Sequence, residues 1–580
     1  MASLKNYDPT AILAPFRGKD FTGEWPTIPE MFMISVKRCA ERACFTDFEG
    51  AGGTRNSLSY AQVQEKVLAL ADWLSEQGVN HGDRVAVTGK NSPEWGTVYL
   101  ATVFLGAIIC PIDYALRTDE QENLLATAKP KFLFVDEEKY GHYAEKQNDF
   151  AVYSLNKKHE ERYVYNLKAQ VKVPYEKPGL EDTAAILFTS GTTSRPKGVM
   201  LSHKNFVSDA YIAQTNMIID YHDVFYALLP IHHAYTMQAV FIESLAIGAE
   251  IVFGKSLSVS RMMNDLKQGN ITMMLGVPML FNKLADGIMK GIKKKGPLVY
   301  GLIRFLMGLS YVIKKIFKVN PGKLLFKSVL KQANLYTVRI AISGGGPLAK
   351  EVFRFFNEMG INFVQGYGLT ETSPIIALNP IEHFKIESVG SYFAGHMEMK
   401  ILNPDKDGVG EICVKGPMVM QGYYQMPEET AKVFTEDGWF KTGDLGWLDG
   451  ENYLMLAGRA KNLIVTEGGK NVYPEEIEDM FQLETDVQQI TVQGYLANKE
   501  RKSEELEALI YPSDELYKRL NIARGDVSGE FSVSEEIGAI VGRVNKKLQP
   551  YQRITKITLL DKPLEMTTTL KVKRHYGDKG

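Results

Sequence analysis

The 580-residue chain is longer than one hydrophobic core can organise, so two or more domains are expected. Hydrophobic residues at 45% and charged residues at 23% are globular proportions, and 67 basic against 69 acidic residues leave a formal charge of −2. That balance excludes a global attraction to nucleic acid, although it can conceal a local run of one sign.

The N-terminal stretch MASLKNYDPTAILAPFRGKD has no apolar core of signal-peptide length, so a cytoplasmic protein is expected. Asn56–Ser59 reads as a strand and Tyr60–Gln77 as an amphipathic helix. Arg84–Thr88 reads as a short buried strand. The apolar stretch from Val98 to Ile112 is too short for a membrane span and reads as a buried helix entering a strand at Ala107–Ile112. Such alternation predicts helices layered on sheets. The four cysteines, Cys39, Cys44, Cys110 and Cys413, form no CxxC pair and are expected to be reduced and buried.

A strand-like run, Ala184–Phe188, leads into Thr189-Ser190-Gly191-Thr192-Thr193-Ser194-Arg195-Pro196-Lys197-Gly198. Glycine lets backbone N–H groups turn toward an anion, and the hydroxyls and lysine add donors and charge, which suits a polyphosphate. The spacing is not that of a Walker A loop, because Pro196 precedes Lys197 and Gly198 follows it. Further on, His232 and His233 follow Leu229-Pro230-Ile231.

From Lys290 to Asn334 the chain carries eleven basic residues (Lys290, Lys293, Lys294, Lys295, Arg304, Lys314, Lys315, Lys318, Lys323, Lys327 and Lys331) and no Asp or Glu. Leu298, Val299, Leu302, Ile303, Phe305, Leu306 and Met307 cluster between them. Basic groups flanking an apolar stretch suit an anionic membrane surface, and Arg304 within the stretch argues against a spanning helix. The competing reading is a solvated basic surface over ordinary core helices.

Ser343-Gly344-Gly345-Gly346-Pro347-Leu348 offers backbone that a planar group can approach closely. Gln365-Gly366-Tyr367-Gly368-Leu369-Thr370-Glu371-Thr372 follows the strand-like Asn362–Val364. There Tyr367 can face a flat base, Thr370 can donate to phosphate, and Glu371 is a hard-oxygen donor for Mg²⁺. Trp439-Phe440-Lys441-Thr442-Gly443-Asp444 and Gly458-Arg459-Ala460-Lys461 place a carboxylate and a guanidinium suited to ribose or phosphate. A composition shift near Ala457–Lys461 predicts a domain boundary, with a smaller α/β pattern after it. Near the C-terminus stands Thr567-Thr568-Thr569-Leu570-Lys571-Val572-Lys573-Arg574.

The ordered set TSGTTSRPKG, SGGGPL, YGLTET, KTGD, GRAK and a late lysine resembles the adenylate-forming superfamily, which includes acyl-CoA synthetases, firefly luciferase and adenylation domains of peptide synthetases. The resemblance runs from about Leu58 to Arg574 and is strongest toward long-chain fatty acyl-CoA synthetases. Glu565 and Thr568 depart from it, standing where relatives often carry proline.

The resemblance implies an α/β fold: a large N-terminal domain of layered α/β subdomains, 1–459, and a small mobile α+β domain, 460–580. It implies ATP, Mg²⁺ and coenzyme A as cofactors and a fatty acid as substrate. Thr189, Ser190, Gly191, Thr192, Thr193 and Lys197 would grip phosphates, with Thr192 and Glu371 toward Mg²⁺. Gly344, Gly345, Gly346, Pro347, Gly366, Tyr367, Gly368 and Thr370 would hold the adenine and phosphate, and Asp444 and Arg459 the ribose. Lys571 would reach the α-phosphate. A hinge at Lys461 would then withdraw it and bring Gly468, Gly469 and Lys470 beside the coenzyme A thiol. His233 is expected at the acyl pocket, against the alternative that both histidines satisfy buried hydrogen bonds.

Other readings weighed are an acyl-AMP ligase loading a carrier protein, a luciferase-like or aryl-CoA ligase, and an inactive lipid-binding protein. The expected partners are the fatty acid and an anionic membrane at the inner face of the cytoplasmic membrane, with a homodimer as a further candidate. No nucleic-acid module is recognisable.

Overall fold

A computed structural model describes residues 4, 7–50, 53–189, 196–256, 258–466, 470–498, 503–526, 529–566 and 572. Helix starts follow local side-chain signals. Thr27 with Glu30 caps Ile28–Cys39, Ser59 with Gln62 caps Tyr60–Glu76, and Ser202 with Asn205 caps His203–Ala213. In each case the two side chains satisfy N–H donors that a helix end leaves open. The expected early elements recur with small shifts at their ends. Strand Thr54–Ser59 precedes the helix Tyr60–Glu76, Arg84–Thr88 is a strand, and helix Pro93–Phe104 runs into strand Ile108–Pro111. All four cysteines are buried free thiols, and burial pushes Cys110 up to about 12.

Two large sheets dominate. The seven-stranded sheet runs in the order Gly422–Tyr423, Lys197–Ser202, Thr183–Thr189, Ile108–Pro111, Arg84–Thr88, Phe132–Val135, Ala151–Ser154. Its last five strands are parallel, and Thr183–Thr189 and Lys197–Ser202 form an antiparallel hairpin. The nine-stranded sheet has six parallel strands side by side: Asn362–Gly368, Ile340–Ser343, Met273–Gly276, Val224–Ala227, Glu250–Phe253 and Ala43–Glu49. A four-stranded antiparallel sheet follows, containing Phe440–Leu448 paired with Leu454–Arg459. Parallel strands gather their C-terminal ends on one edge, where ligands bind in open α/β sheets.

One continuous buried cluster joins the inner faces of the two large sheets. Phe241 lies within it, its ring 5.9 Å from Phe45, 6.1 Å from Trp95 and 5.2 Å from Tyr99. A second core packs Phe281, Phe353, Phe356 and Phe363 beneath the Pro278–Lys293, Pro297–Phe317 and Lys350–Glu358 helices. A third is drawn only from residues after 463, including Ile477, Val492, Ile510 and Ile540, around the sheet Val487–Asn498, Ser503–Pro512 and Ile554–Leu559.

Truncating Phe241 strips three ring contacts from a site that cannot refill. Phe241→Ala should lower the stability of the large region by about 3–5 kcal/mol in urea unfolding followed by tryptophan fluorescence. A loss well below 1 kcal/mol would mean that the two sheets do not share this core.

Candidate active site

The hairpin ends of the seven-stranded sheet set the first wall of a cleft. Thr189 closes one strand and Lys197 opens the next, directly opposite in register. Thr189 Oγ1 donates to the Lys197 carbonyl at 3.4 Å. The Lys197 ammonium is one-fifth exposed, 2.8 Å from Glu429 Oε2 and 4.7 Å above the Tyr423 ring. Glu429 also receives Lys432 Nζ at 2.5 Å, and the two lysine hydrogen bonds hold its carboxyl down to about 2. Ser190, Gly191, Thr192 and Thr193 lie outside the described residues.

The nine-stranded sheet supplies the facing wall through the ends of Ile340–Ser343 and Asn362–Gly368. Gly344, Gly345, Gly346 and Pro347 line the cleft, and Gly345 has φ +78°, which favours glycine. Gly366, Tyr367, Gly368, Thr370 and Glu371 line it as well. A Cβ on Gly368 would stand 1.6 Å from the Pro374 carbonyl oxygen, so no side chain fits there. Glu371 Oε1 accepts from the Tyr423 hydroxyl at 2.9 Å, and its backbone carbonyl accepts from Met420 N–H at 2.9 Å.

The four-stranded sheet closes the third side. Asp444 and Arg459 sit opposite one another in adjacent strands, with Arg459 Nε 3.0 Å from Asp444 Oδ1. Asp444 Oδ2 accepts from the Tyr367 hydroxyl at 2.7 Å. The Asp444 carboxylate raises the Arg459 pKa further, and burial, then the same carboxylate, raises that of Tyr367. One Asp444 oxygen thus accepts from a phenol and the other faces a guanidinium as an ion pair, and both keep lone pairs for a further donor. Arg459 and Lys461 line the cleft, and the carboxylates of Glu475, Glu478 and Asp479 face it from the C-terminal core. Gln482 Nε2 donates across it to the Pro347 carbonyl at 3.1 Å.

Of four further expected residues, one is described and three are not. Gly468 and Gly469 lie outside the described residues, while Lys470 is exposed and is not among the cleft-lining side chains. Lys571 also lies outside them, but its described neighbours Met566 and Val572 bridge one another and both line the cleft.

The cleft is one cavity of about 2180 Å³ with apolar as well as polar lining. Met217, Leu229, Ala239, Val277, Met279, Met289, Val352 and Phe355 supply its apolar lining. His233 lines it as expected, half-buried beside His232 with ring centroids 4.2 Å apart. His232 is buried, its Nε2 3.2 Å from Asp113 Oδ1 but out of line for a hydrogen bond. His233 is the one of the pair that lines the cavity, and one donor atom from each of Asp113, His232 and His233 lies within 4.8 Å of the others.

Sequence reading missed Tyr423 and Glu429, which hold Glu371 and Lys197. The only signal was an acidic pair, Glu428-Glu429, opening the helix Pro427–Val433 just after Tyr423.

The family model described as AMP-binding enzyme matches residues 32–424. The long-chain-fatty-acid–CoA ligase heimdall of Drosophila melanogaster is 27% identical over 79% of this chain and 73% of its own length. A feruloyl-CoA synthase of an Amycolatopsis species is 30% identical over 74% of this chain and 78% of its own. The crystal structure of ATP-bound MatB from Rhodopseudomonas palustris superposes with a TM-score of 0.72 at 24% identity, covering 94% of this chain and 97% of that one. That likeness extends the fold match past the family model, to a large N-terminal domain followed by a small C-terminal one.

Because Lys197 is already paired, Glu429 would compete with a phosphate for its ammonium, if Lys197 is the phosphate ligand that the sequence leads one to expect. Glu429→Gln should therefore tighten ATP binding in calorimetry by roughly two- to fivefold, a modest gain because partly exposed ion pairs are weak. Lys197→Ala should weaken it. Equal affinity in Glu429→Gln and the parent would show that Glu429 does not restrain the lysine.

Proposed function

We propose that this chain, which belongs to the AMP-binding enzyme family, activates a long-chain fatty acid as acyl-AMP and passes the acyl group to coenzyme A. The family membership carries adenylate-forming acid–thiol ligase chemistry, with ATP, Mg²⁺ and coenzyme A as its cofactors. One observation supports the finer reading most: the cavity that gathers Lys197, Glu371 and Arg459 is also lined by apolar side chains, among them Met217, Leu229, Ala239 and Val277.

The residues fit a nucleotide. Glycines leave bare backbone at Gly344–Gly346, Tyr367 offers a ring beside them, and Asp444 and Arg459 offer an acceptor and a cation within one pair. Glu371 would hold Mg²⁺, which when bound neutralises phosphate charge. The difficulty of the first step is that both reactants are anions. A carboxylate oxygen must attack the α-phosphorus while the bond to pyrophosphate breaks, and fixed cations lower that barrier by meeting the charge where it develops. Lys197 would serve the β- and γ-phosphates, and Thr189 and Thr370 would add hydroxyl donors. Lys571 would serve the attacking carboxylate and the α-phosphate.

In the second step the coenzyme A thiolate attacks the acyl carbonyl and AMP leaves. We assign the change between steps to rotation at Lys461, which would exchange Lys571 for Gly468, Gly469 and Lys470. His233, at the cavity wall, would border the acyl group. A cytoplasmic location accords with the four unpaired, buried thiols.

Long-chain preference is supported by the apolar lining and by the relative named as a long-chain ligase. The feruloyl-CoA synthase relative supports an aryl acid as the second reading. The two separate when AMP and thioester are followed together across fatty acids of increasing length and ferulate. Each buried methylene should raise kcat/KM up to about fourfold until the cavity is filled, from roughly 0.8 kcal/mol per CH₂. Ferulate turning over faster than every fatty acid would overturn the long-chain reading. Acyl-AMP accumulating without thioester would transfer the assignment to a carrier-protein ligase.

Lys571→Ala should slow acyl-AMP formation by a factor on the order of 10² or more, while thioester formation from supplied acyl-AMP stays within a few-fold. Equal losses in both half-reactions would contradict the two-position role.

A further inference from the structure

The helix Pro297–Phe317 has two faces with opposite surroundings. Met307, Ser310, Tyr311 and Lys314 are buried where it packs on the helices Pro278–Lys293 and Lys350–Glu358. Lys314 Nζ donates to Asn357 Oδ1 at 2.7 Å and Asn362 Oδ1 at 2.9 Å, fixing this face to the protein. The other face presents Leu298, Leu302, Phe305, Leu309, Val312 and Ile316, all exposed, with Phe305 at 69%. Their spacing of four and three residues aligns them in one stripe. Beyond the helix, Val319 and Leu324 are exposed as well. A helix of 21 residues gives this stripe a length of about 30 Å, more contiguous apolar surface than a soluble protein leaves in water without use.

Charge identifies what covers it. Lys293, Lys294 and Lys295 precede the helix, Lys315 and Lys318 stand at its end, all exposed, and positions 290–334 contain no acidic residue. An anionic surface complements that arrangement. A second copy of the chain placed on the same face would bring like charges together. The helix is long and apolar enough to cross a bilayer by length and composition. Its inner face, however, is committed to protein contacts, and Arg304 at mid-helix lies 3.8 Å from buried Glu358. The stripe is therefore suited to lie in the plane of a membrane surface, with ammonium groups at headgroup level.

The neighbouring helix Pro278–Lys293 ties this surface to the cavity. Met279, Ala285 and Met289 on that helix line the same cavity as the cleft residues, together with charged neighbours such as Lys283 and Asp286, Lys293 at its end and Arg304 of the exposed helix. We infer that the outer face of Pro297–Phe317 docks on an anionic lipid leaflet, and that fatty acid passes from the leaflet into the cavity between these two helices. Docking stands on the surface alone; entry rests on the fatty-acid reading above.

The test uses the full-length protein with phosphatidylcholine vesicles that contain or lack phosphatidylglycerol, read by co-flotation. Binding should require phosphatidylglycerol and weaken as salt rises. It should fall roughly tenfold or more in Leu302→Glu/Phe305→Glu, and separately in Lys293→Gln/Lys294→Gln/Lys295→Gln. Unchanged melting temperatures would confirm that these exposed substitutions spare the fold. The double variant should make thioester from detergent-dispersed fatty acid at the parent rate, and lose roughly tenfold with fatty acid supplied in vesicles. Vesicle binding that survives both variants would overturn the docking surface. So would a dimer, seen by sedimentation, that the variants abolish while vesicle binding persists. Vesicle binding by a protein that forms no acyl-AMP would refute the catalytic reading and leave docking intact.

Discussion

The ion pair between Asp444 and Arg459 is the interaction on which the cleft depends. It joins adjacent strands of the antiparallel sheet, and through the Tyr367 hydroxyl it also fastens that sheet to the nine-stranded one. Asp444 is only 6% exposed, so its charge is sustainable because both partners are present. Removing the carboxylate would leave a guanidinium and a phenol facing each other without an acceptor, which costs more than the pair itself contributes. Arg459 is also the last residue of its strand, after which the chain passes toward the third core. One side chain thus borders the cleft and marks where the chain leaves it.

The opposite wall follows a related logic with a weaker pair. Lys197 is held between Glu429 and the Tyr423 ring, while Tyr423 donates to Glu371. The groups assigned to phosphate and metal are therefore linked through one tyrosine before any ligand arrives. A cation stored on a carboxylate costs little to hold and can change partners when a stronger anion enters. Asp444 is buried and Glu429 is partly exposed, so under the proposed chemistry the second pair is the one that would exchange partners. The difference in solvent access separates a structural pair from a transferable one.

Much of this was legible in the sequence because the chemistry is local. Glycine at positions 344–346, 366 and 368, the last two after the strand-like Asn362–Val364, announced backbone that something must approach. Gly368 shows why the signal is dependable: the Pro374 carbonyl occupies the space a side chain would need. Tyr423 and Glu429 were not legible, because their roles come from partners 52 and 232 residues away in the chain. Nor could the strand order be read, since pairing of distant strands depends on long-range packing. The exposed helix lies between these cases. Its apolar clustering was plain, but the division between inward Met307 and outward Leu302 and Phe305 needed the packing against Lys350–Glu358.

The C-terminal core presents an acidic face to the cleft, with Glu475, Glu478, Asp479, Glu484, Asp514 and Glu515 along its lining. Burial lifts Asp479 to about 7 against the lowering hydrogen bond from Gln482, and Glu478, Glu475 and Glu476 add smaller upward contributions. A face of this sign opposes a polyphosphate, and the proposed first step needs a cation in its place. Lys571 belongs to the same C-terminal segment, one position before the cleft-lining Val572 in the sequence. Under the proposed chemistry, bringing that lysine to the phosphates requires the acidic face to be turned away. The charge pattern of the small core therefore supplies an electrostatic reason for a two-position cycle, beyond the need to make room for coenzyme A.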